Sequence, residues 1–143
     1  MNLKLFCIAL VLILAGINAR AQSQPYTPEQ GSAERQIIMD TVRPLVERDL
    51  NQKVVFKVSR LSVQNGWAFM IVTPQQPDGQ AVDFSRTRFR RDYEQGMFSD
   101  VVIALLRRQG NRWRVVQYVL GPTDVPYEGW PRRYKAPRAI FGL

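Results

Sequence analysis

An asparagine–glycine pair between two apolar segments is the feature that most restricts how this chain can fold. Asn65-Gly66 separates Val54–Val63 from Trp67–Thr73. A two-residue loop of this type favours a turn with positive φ at both positions, and the twist of that turn matches antiparallel strands. The sequence therefore predicts a β-hairpin with this pair as its turn.

The apolar pattern of the hairpin also predicts its register. Around the turn, Val63 lies opposite Ala68 and Leu61 lies opposite Met70. On the first strand, apolar residues occupy even positions before residue 59 and odd positions after residue 60. One extra residue in this strand would place the apolar side chains before and after it on the same face of the sheet. We therefore predict a β-bulge near Ser59-Arg60.

A second hairpin is predicted at Gly110-Asn111, between Asp100–Arg108 and Arg112–Leu120. In its register Arg107 lies opposite Arg114, a like-charge pair that is unfavourable unless an anion or a carboxylate lies between the side chains. The other predicted pairs are Leu106 with Val115, Leu105 with Val116, Ile103 with Tyr118, and Arg108 with Trp113, the last as a cation–π contact.

Residues 1–21 have the organisation of a secretory signal peptide. Lys4 precedes an apolar run from Leu5 to Ile17, and Ala19-Arg20-Ala21 is a small-x-small cleavage site. The run is too short for a bilayer span, which needs about 20 apolar residues. We therefore expect a mature chain that begins near Gln22, has no transmembrane segment and is periplasmic or secreted.

The mature chain is basic and lacks two residue types that enzymes commonly use. Without Lys4 and Arg20 it holds 18 Lys and Arg against 12 Asp and Glu, a net charge of +6. It has no histidine, and the only cysteine, Cys7, lies in the leader. Ser–His and Cys–His nucleophile pairs and the usual zinc sites are thereby excluded. We predict no catalytic residue, metal or cofactor, although catalysis by Asp, Glu, Tyr, Lys or Arg stays open.

The start of the mature chain has the apolar spacing of an amphipathic helix. Thr27 suits its N-cap, Pro28 its first position and Gln30 a capping box. Pro44 removes one backbone hydrogen bond, so we expect a kink or two helical pieces meeting near Arg43. The apolar face consists of Ile37, Ile38, Val42, Leu45, Val46 and Leu50.

Residues 22–143 are expected to form a single α+β domain. A kinked N-terminal helix packs on a curved antiparallel sheet of about four strands in two hairpins. Residues 76–99 form a long loop, in which a short helix over Arg88–Gln95 would begin after Thr87 and stop at Gly96. Residues 121–143, rich in proline and aromatic residues, form a C-terminal lid.

This order of elements resembles the cystatin-like and NTF2-like folds, in which a curved sheet wraps a helix. The segments VVFKVSRLSVQNGWAFM and ALLRRQGNRWRVVQYVLGPTDVPYEGW are also similar to a group of small exported bacterial proteins with no assigned activity. The tail sequence GPTDVPYEGW is the distinctive part of that resemblance. Many NTF2-like enzymes use an Asp–His pair, and a chain without histidine cannot inherit that chemistry.

The first candidate binding site is an arginine cluster in the long loop, beside Phe89 and Tyr93. Guanidinium groups bind phosphate or carboxylate in a bidentate manner, so the cluster could hold an anion. The alternative is a solvated loop whose charge neighbouring acids partly neutralise. The cluster consists of Arg86, Arg88, Arg90 and Arg91.

The second candidate is a group of arginines at the tip of the second hairpin, with Trp113 among them: Arg107, Arg108, Arg112 and Arg114. Residues 101–143 hold eight bases and two acids. In an exported protein this favours an anionic envelope molecule over nucleic acid, which we do not expect as a partner. The alternative is a basic surface that only aids solubility.

The third candidate consists of Asp124, Trp130 and Tyr134 in the lid. Prolines stiffen this segment, and its aromatic residues are more apolar surface than a free tail would carry. The lid either covers a packed sheet, or these three residues form the rim of a ligand cavity inside the cone.

These features predict a non-catalytic exported protein with an arginine-rich binding surface. Its expected partner is an anionic envelope lipid or glycan, or another envelope protein. One alternative is a small-molecule-binding cone or a degenerate NTF2-like enzyme, and another is an inhibitor or accessory subunit of an exported protein. The sequence indicates no oligomeric state.

Overall fold

A four-stranded antiparallel sheet is the centre of the fold in the computed structural model, which describes residues 23–143. The predicted signal peptide lies outside the described residues. The strands are β1 (Val55–Gln64), β2 (Trp67–Gln75), β3 (Val102–Gln109) and β4 (Arg112–Leu120). The helices are α1 (Ala33–Leu50), α2 (Arg90–Glu94), α3 (Trp130–Tyr134) and α4 (Arg138–Phe141), with a 3-10 turn at Phe84–Arg86. The chain is therefore α+β, as predicted.

The strand order is β1-β2-β3-β4, so the sheet consists of two adjacent hairpins. The turns Asn65-Gly66 and Gly110-Asn111 lie at the same end, which we call the hairpin end. The first turn has φ values of 51° and 75°, the positive pair that its sequence predicts. The crossover loop 76–101 lies at the opposite end, the crossover end, because it joins β2 to β3.

The register of the first hairpin confirms the sequence prediction. Val63 pairs with Ala68, and the pairing shifts by one residue at the predicted bulge between Val58 and Arg60. As a result, apolar side chains before and after the bulge face the same apolar cluster.

The register of the second hairpin is right near the turn and wrong beyond it. Arg107 pairs with Arg114 as predicted, but the pairing shifts between Leu105 and Leu106. The observed pairs beyond the shift are Leu105 with Gln117 and Ile103 with Val119, in place of Val116 and Tyr118. Because β4 is apolar on both faces, its sequence carries no change of parity that would have indicated this second bulge.

Helix α1 covers one face of the sheet, which we call the helix face. Its buried residues are Ile38, Val42, Val46 and Leu50, spaced by four residues along one side of the helix. They belong to one apolar cluster with residues from all four strands, among them Met70 and Trp113. No helix within residues 23–143 is long and apolar enough to cross a membrane.

The predicted start of α1 is wrong. Gly31 has a φ of 81°, so a helix that began at Pro28 could not continue through it, and Ser32 is the N-cap instead. The Thr27 hydroxyl donates a hydrogen bond to the Leu61 carbonyl oxygen at 2.9 Å. The N-terminal segment is thereby attached to the edge of β1.

Pro44 lies inside α1, which is one continuous helix. Of the two predicted alternatives, the division into two helical pieces is therefore wrong. The proline is on the exposed side of the helix, where its ring does not disturb packing on the sheet.

The C-terminal segment covers the other face of the sheet, which we call the tail face. Helices α3 and α4 place Trp130 and Phe141 against Phe69 of β2, with ring-centroid distances of 6.4 and 4.7 Å. Trp130 is 4% exposed. The sheet is thus covered on both faces, by α1 on one side and by residues 121–143 on the other.

Candidate functional site

A groove of about 590 Å³ lies on the tail face at the hairpin end. One wall comes from the sheet and consists of Gln64, Asn65, Trp67 and Arg107. The other wall is Lys135–Ala139, which comprises the link between α3 and α4 and the first two residues of α4. The groove therefore exists only because the tail folds back over the first hairpin.

A sharp turn of the chain forms the tail wall of the groove. Lys135 has a φ of 55° and ends α3, with its backbone N–H bonded to the Pro131 carbonyl oxygen. Pro137 then precedes α4, so Lys135 and Arg138 both line the groove within four residues. Two cationic side chains are thereby placed on the wall that faces the sheet.

The strand register places two more cations on the same face. Arg107 is paired with Trp67 of β2 and with Arg114 of β4. Residues directly opposite each other in a sheet project to the same side, so both arginines lie on the tail face. The guanidinium of Arg107 lies 4.7 Å from the centre of the Trp67 ring, and its Nη1 donates to the Asn65 carbonyl oxygen at 3.1 Å. These contacts hold Arg107 in one orientation at the groove.

The structure has a cation–π contact between Arg107 and Trp67 in place of the one predicted between Arg108 and Trp113 at the second hairpin. Arg108 is paired with Trp113, but its Nε donates to the Gly110 carbonyl oxygen, which directs the guanidinium around the turn. Trp113 is buried in the cluster under α1. Its ring is therefore part of the core and not of a surface site.

The cations of the groove have no acidic partners among residues 23–143. The five ion pairs found there all join residues between 40 and 94. None of the eight bases from Arg107 to Arg138 takes part in one, so no carboxylate lies within 4.0 Å of them. Those bases are Arg107, Arg108, Arg112, Arg114, Arg132, Arg133, Lys135 and Arg138.

Gln64, at the end of β1, adds a buried polar group to the groove wall. Its Nε2 donates to the Ser23 carbonyl oxygen at 2.6 Å, while its Oε1 is buried and has no hydrogen-bond partner among residues 23–143. The residue is 7% exposed. Sequence reasoning placed Gln64 opposite Trp67 but did not single it out, because its hydrogen bond is to Ser23, which is distant in sequence.

The arginine cluster of the crossover loop lies at the other end of the sheet. Arg88 and Arg90 are in ion pairs, with Asp49 at 3.4 Å and with Glu94 at 2.9 Å. Arg86 and Arg91 are exposed and in no ion pair among residues 23–143. All four predicted residues are exposed, two of them in ion pairs and two in none among residues 23–143.

Packing of aromatic rings explains the shape of this loop. Phe89 stacks on Phe98 at 4.5 Å and Tyr93 on Phe84 at 4.4 Å between ring centroids. Helix α2 begins at Arg90, two residues later than predicted. Phe84 and Phe98 also belong to the buried cluster under α1, so these rings hold the loop to the core.

The three candidate residues of the lid are not brought together around a cavity. Trp130 is buried between Phe69 and its neighbours in the tail, and Asp124 is exposed. Tyr134 is half-buried, with its ring at a right angle to that of Trp130 and 6.4 Å away. On the opposite face, the space between α1 and the sheet is filled by apolar side chains.

A polar contact that the sequence did not indicate joins α1 to β4. The hydroxyl of Tyr118 donates to Oδ2 of Asp49 at 3.2 Å, and Arg48 and Arg88 lie 3.4 Å from the other oxygen. Burial and the negative charge of Asp49 raise the pKa of Tyr118 above that of an ordinary tyrosine. The contact fixes the end of α1 against the sheet and is distant from the groove.

Comparison of the chain with protein-family models, with curated proteins and with solved structures returned no match. The resemblance to cystatin-like and NTF2-like proteins therefore stays a prediction. No group of three or more potential metal-ligating side chains is found in the described part of the chain.

Proposed function

We propose that this protein is a non-catalytic binding protein that holds an anionic ligand in the groove at the hairpin end. The observation that carries the proposal is a set of cations without acidic partners. Arg107, Lys135 and Arg138 line the groove, and Arg114 lies beside Arg107 in the register. An anion in the groove would offset the mutual repulsion of the cations that line it.

The chemistry of these side chains fits carboxylate or phosphate. Arginine offers a planar fork of N–H donors that matches two oxygens of such a group, and the ammonium of Lys135 adds a compact charge. Because the groove is open to solvent, each contact is screened by salt. The proposal therefore includes an affinity that falls as the salt concentration rises.

The proposed setting is the bacterial envelope. The support is the leader-like sequence of residues 1–21. In that setting the ligand is an anionic envelope component, and the chain is periplasmic or secreted. The same proposal has a second form, in which the arginine-rich surface contacts another envelope protein.

We further propose a cystatin-like or NTF2-like fold, on the basis of the element order and the two β-bulges. Bulges bend and twist a strand, which helps a sheet to wrap a helix. The alternative of a small-molecule-binding cone or a degenerate enzyme has less support, because apolar side chains fill the space under α1. An inhibitor or accessory role has no specific observation in its favour.

Binding of a fluorescent oligogalacturonate octamer, measured by anisotropy at low and physiological salt, tests the proposed function. We expect the double variant Arg107→Gln/Arg138→Gln to bind about 5–30-fold more weakly, since loss of two partly screened contacts amounts to about 1–2 kcal/mol. The matched control is Arg86→Gln/Arg91→Gln, which removes two exposed arginines at the crossover end.

The control variant should bind within about twofold of the wild type, because arginines far from the site contribute only screened attraction. Equal weakening of binding in both double variants would indicate a diffuse basic surface instead of a site in the groove. No binding by the wild type at low salt, to this octamer or to inorganic polyphosphate, would end the proposal.

A further inference from the structure

We propose that the ligand of the groove is a linear polyanion, a chain with an anionic group on each repeating unit, which lies across the strands and continues past the groove onto β4. This inference rests on the proposed function and extends it from one anion to a chain of them. It depends on the direction of the groove and on two arginines of β4 that do not line it.

The sheet register gives the groove its direction. Gln64 of β1, Trp67 of β2 and Arg107 of β3 are paired in turn, and all three line the groove. Neighbouring strands are about 4.8 Å apart, so this wall of the groove runs across three strands instead of along one of them. An extended ligand in the groove would therefore follow this row of paired residues.

The next residue of the row is Arg114. It is paired with Arg107, is exposed, and lies one strand beyond the residues that line the groove. Arg112, two residues away on β4, is also exposed and projects to the same side, because successive side chains of a strand alternate between faces. Neither arginine is in an ion pair among residues 23–143. The row therefore ends in two cations that an occupant confined to the groove would not use.

One anionic group does not suit both Arg107 and Arg114. The guanidinium of Arg107 lies 4.7 Å from the centre of the Trp67 ring, and its Nη1 donates to the Asn65 carbonyl oxygen at 3.1 Å. Arg107 is thus turned toward β2, while Arg114 belongs to β4, about 10 Å away across the sheet. Two anionic groups, joined by a chain that passes over β3, would satisfy both arginines.

The size and charge of the groove also favour a chain. Its volume of about 590 Å³ lies within the range of about 300–1,000 Å³ that is usual for sites that hold whole molecules, which are much larger than one carboxylate or phosphate. Lys135 and Arg138 on the tail wall supply further cations along it. Each contact is weak because salt screens it, but contacts joined in one chain reinforce one another.

The test compares galacturonate with its linear octamer at physiological salt, by ¹H–¹⁵N titration of the wild type. A site for one anion would favour the octamer by about eightfold, because the octamer offers eight equivalent units. We expect a ratio of at least about 40-fold, since contacts with Arg112 and Arg114 add a further factor of about 5–30. The amides of these two arginines should shift with the octamer and not with the monomer.

In Arg112→Gln/Arg114→Gln the ratio of the two affinities should fall to about eightfold, the value for a site that holds one anion. The matched control is Arg86→Gln/Arg91→Gln, which removes the same charge at the crossover end and should keep the wild-type ratio within about twofold. The groove variant Arg107→Gln/Arg138→Gln, in contrast, should weaken the binding of both ligands.

Three results would overturn the inference. The first is a wild-type ratio of about eightfold or less, a comparison that needs no variant to fold. The second is a wild-type ratio in Arg112→Gln/Arg114→Gln, and the third is an equal fall of the ratio in the control variant. In each case the anion site in the groove stands, because it is judged by Arg107→Gln/Arg138→Gln.

The remaining outcomes are also assigned. Galacturonate that binds too weakly to saturate supports the chain, because the ratio is then larger still. The same comparison between inorganic phosphate and a polyphosphate of eight units distinguishes the source, since the series with the larger ratio identifies a carboxylate or a phosphate chain. Failure of the wild type to bind either octamer would remove both proposals.

Discussion

The hydrogen bond between Tyr118 and Asp49 shows how one residue can join two elements that are distant in sequence. The hydroxyl lies 3.2 Å from Oδ2 of the carboxylate, at the point where the end of α1 meets β4. Nothing in the local sequence around either residue indicates this pair. It depends on the second β-bulge, which changes the side of β4 on which Tyr118 projects.

We expect Tyr118→Phe to lower the free energy of unfolding by about 1.5–3 kcal/mol at pH 7, the usual value of a hydrogen bond to a charged group. The raised pKa of Tyr118 adds a pH dependence. Above about pH 10 the unfolded tyrosine ionises while the folded one keeps its proton, so the wild type loses stability as the pH rises.

Urea unfolding of both proteins at several pH values between 7 and 11 measures this effect. The difference between wild type and Tyr118→Phe should be constant up to about pH 9 and then shrink. Tyr26, whose pKa is also raised by burial and by Glu34, is present in both proteins and cancels. A difference that stays constant up to pH 11 would show that the hydroxyl is not held in this contact.

At the level of elements, the hairpins could be predicted and the helix start could not. Asn65-Gly66 specifies its turn through local backbone preferences, so the register and first bulge follow from nearby residues. At Thr27 and Pro28 the capping pattern is equally local. In the structure Thr27 instead donates to Leu61 of β1, a tertiary contact, and Gly31 adopts a positive φ that a helix from Pro28 could not include.

The tail layer is the element whose packing can be tested most simply. Trp130 is 4% exposed in a cluster with Phe69 and Tyr127, so Trp130→Ala should lower the free energy of unfolding by about 3–5 kcal/mol. Val125 lies in the same segment and is 49% exposed, so Val125→Ala serves as the control. Its cost should stay within about 0.5 kcal/mol, as for other surface substitutions.

Chemical denaturation, followed by circular dichroism, measures both variants. A loss below about 1 kcal/mol for Trp130→Ala would place the indole on the surface and remove the packed tail layer. The tail wall of the groove would then have no packed layer beneath it to hold it in place.

For the whole molecule, ion pairs are distributed unevenly along the chain. The ion pairs lie between residues 40 and 94, while the bases from Arg107 onward have no acidic partner in the described part of the chain. The sequence indicated the excess of bases and the cross-strand arginine pair. It could not indicate the groove, because Gln64 and Lys135 come to line the same groove only after the tail has folded back over the sheet.

The most direct test of the central claim is a titration of uniformly ¹⁵N-labelled protein with oligogalacturonate octamer, followed by ¹H–¹⁵N correlation spectra. Residues of both groove walls, such as Asn65, Trp67, Ala136 and Ala139, should shift together and saturate with one affinity, while Arg86 and Arg91 stay unchanged. Saturable shifts concentrated at Arg86 and Arg91, or shifts that are spread over the surface and do not saturate, would contradict an anion site in the groove.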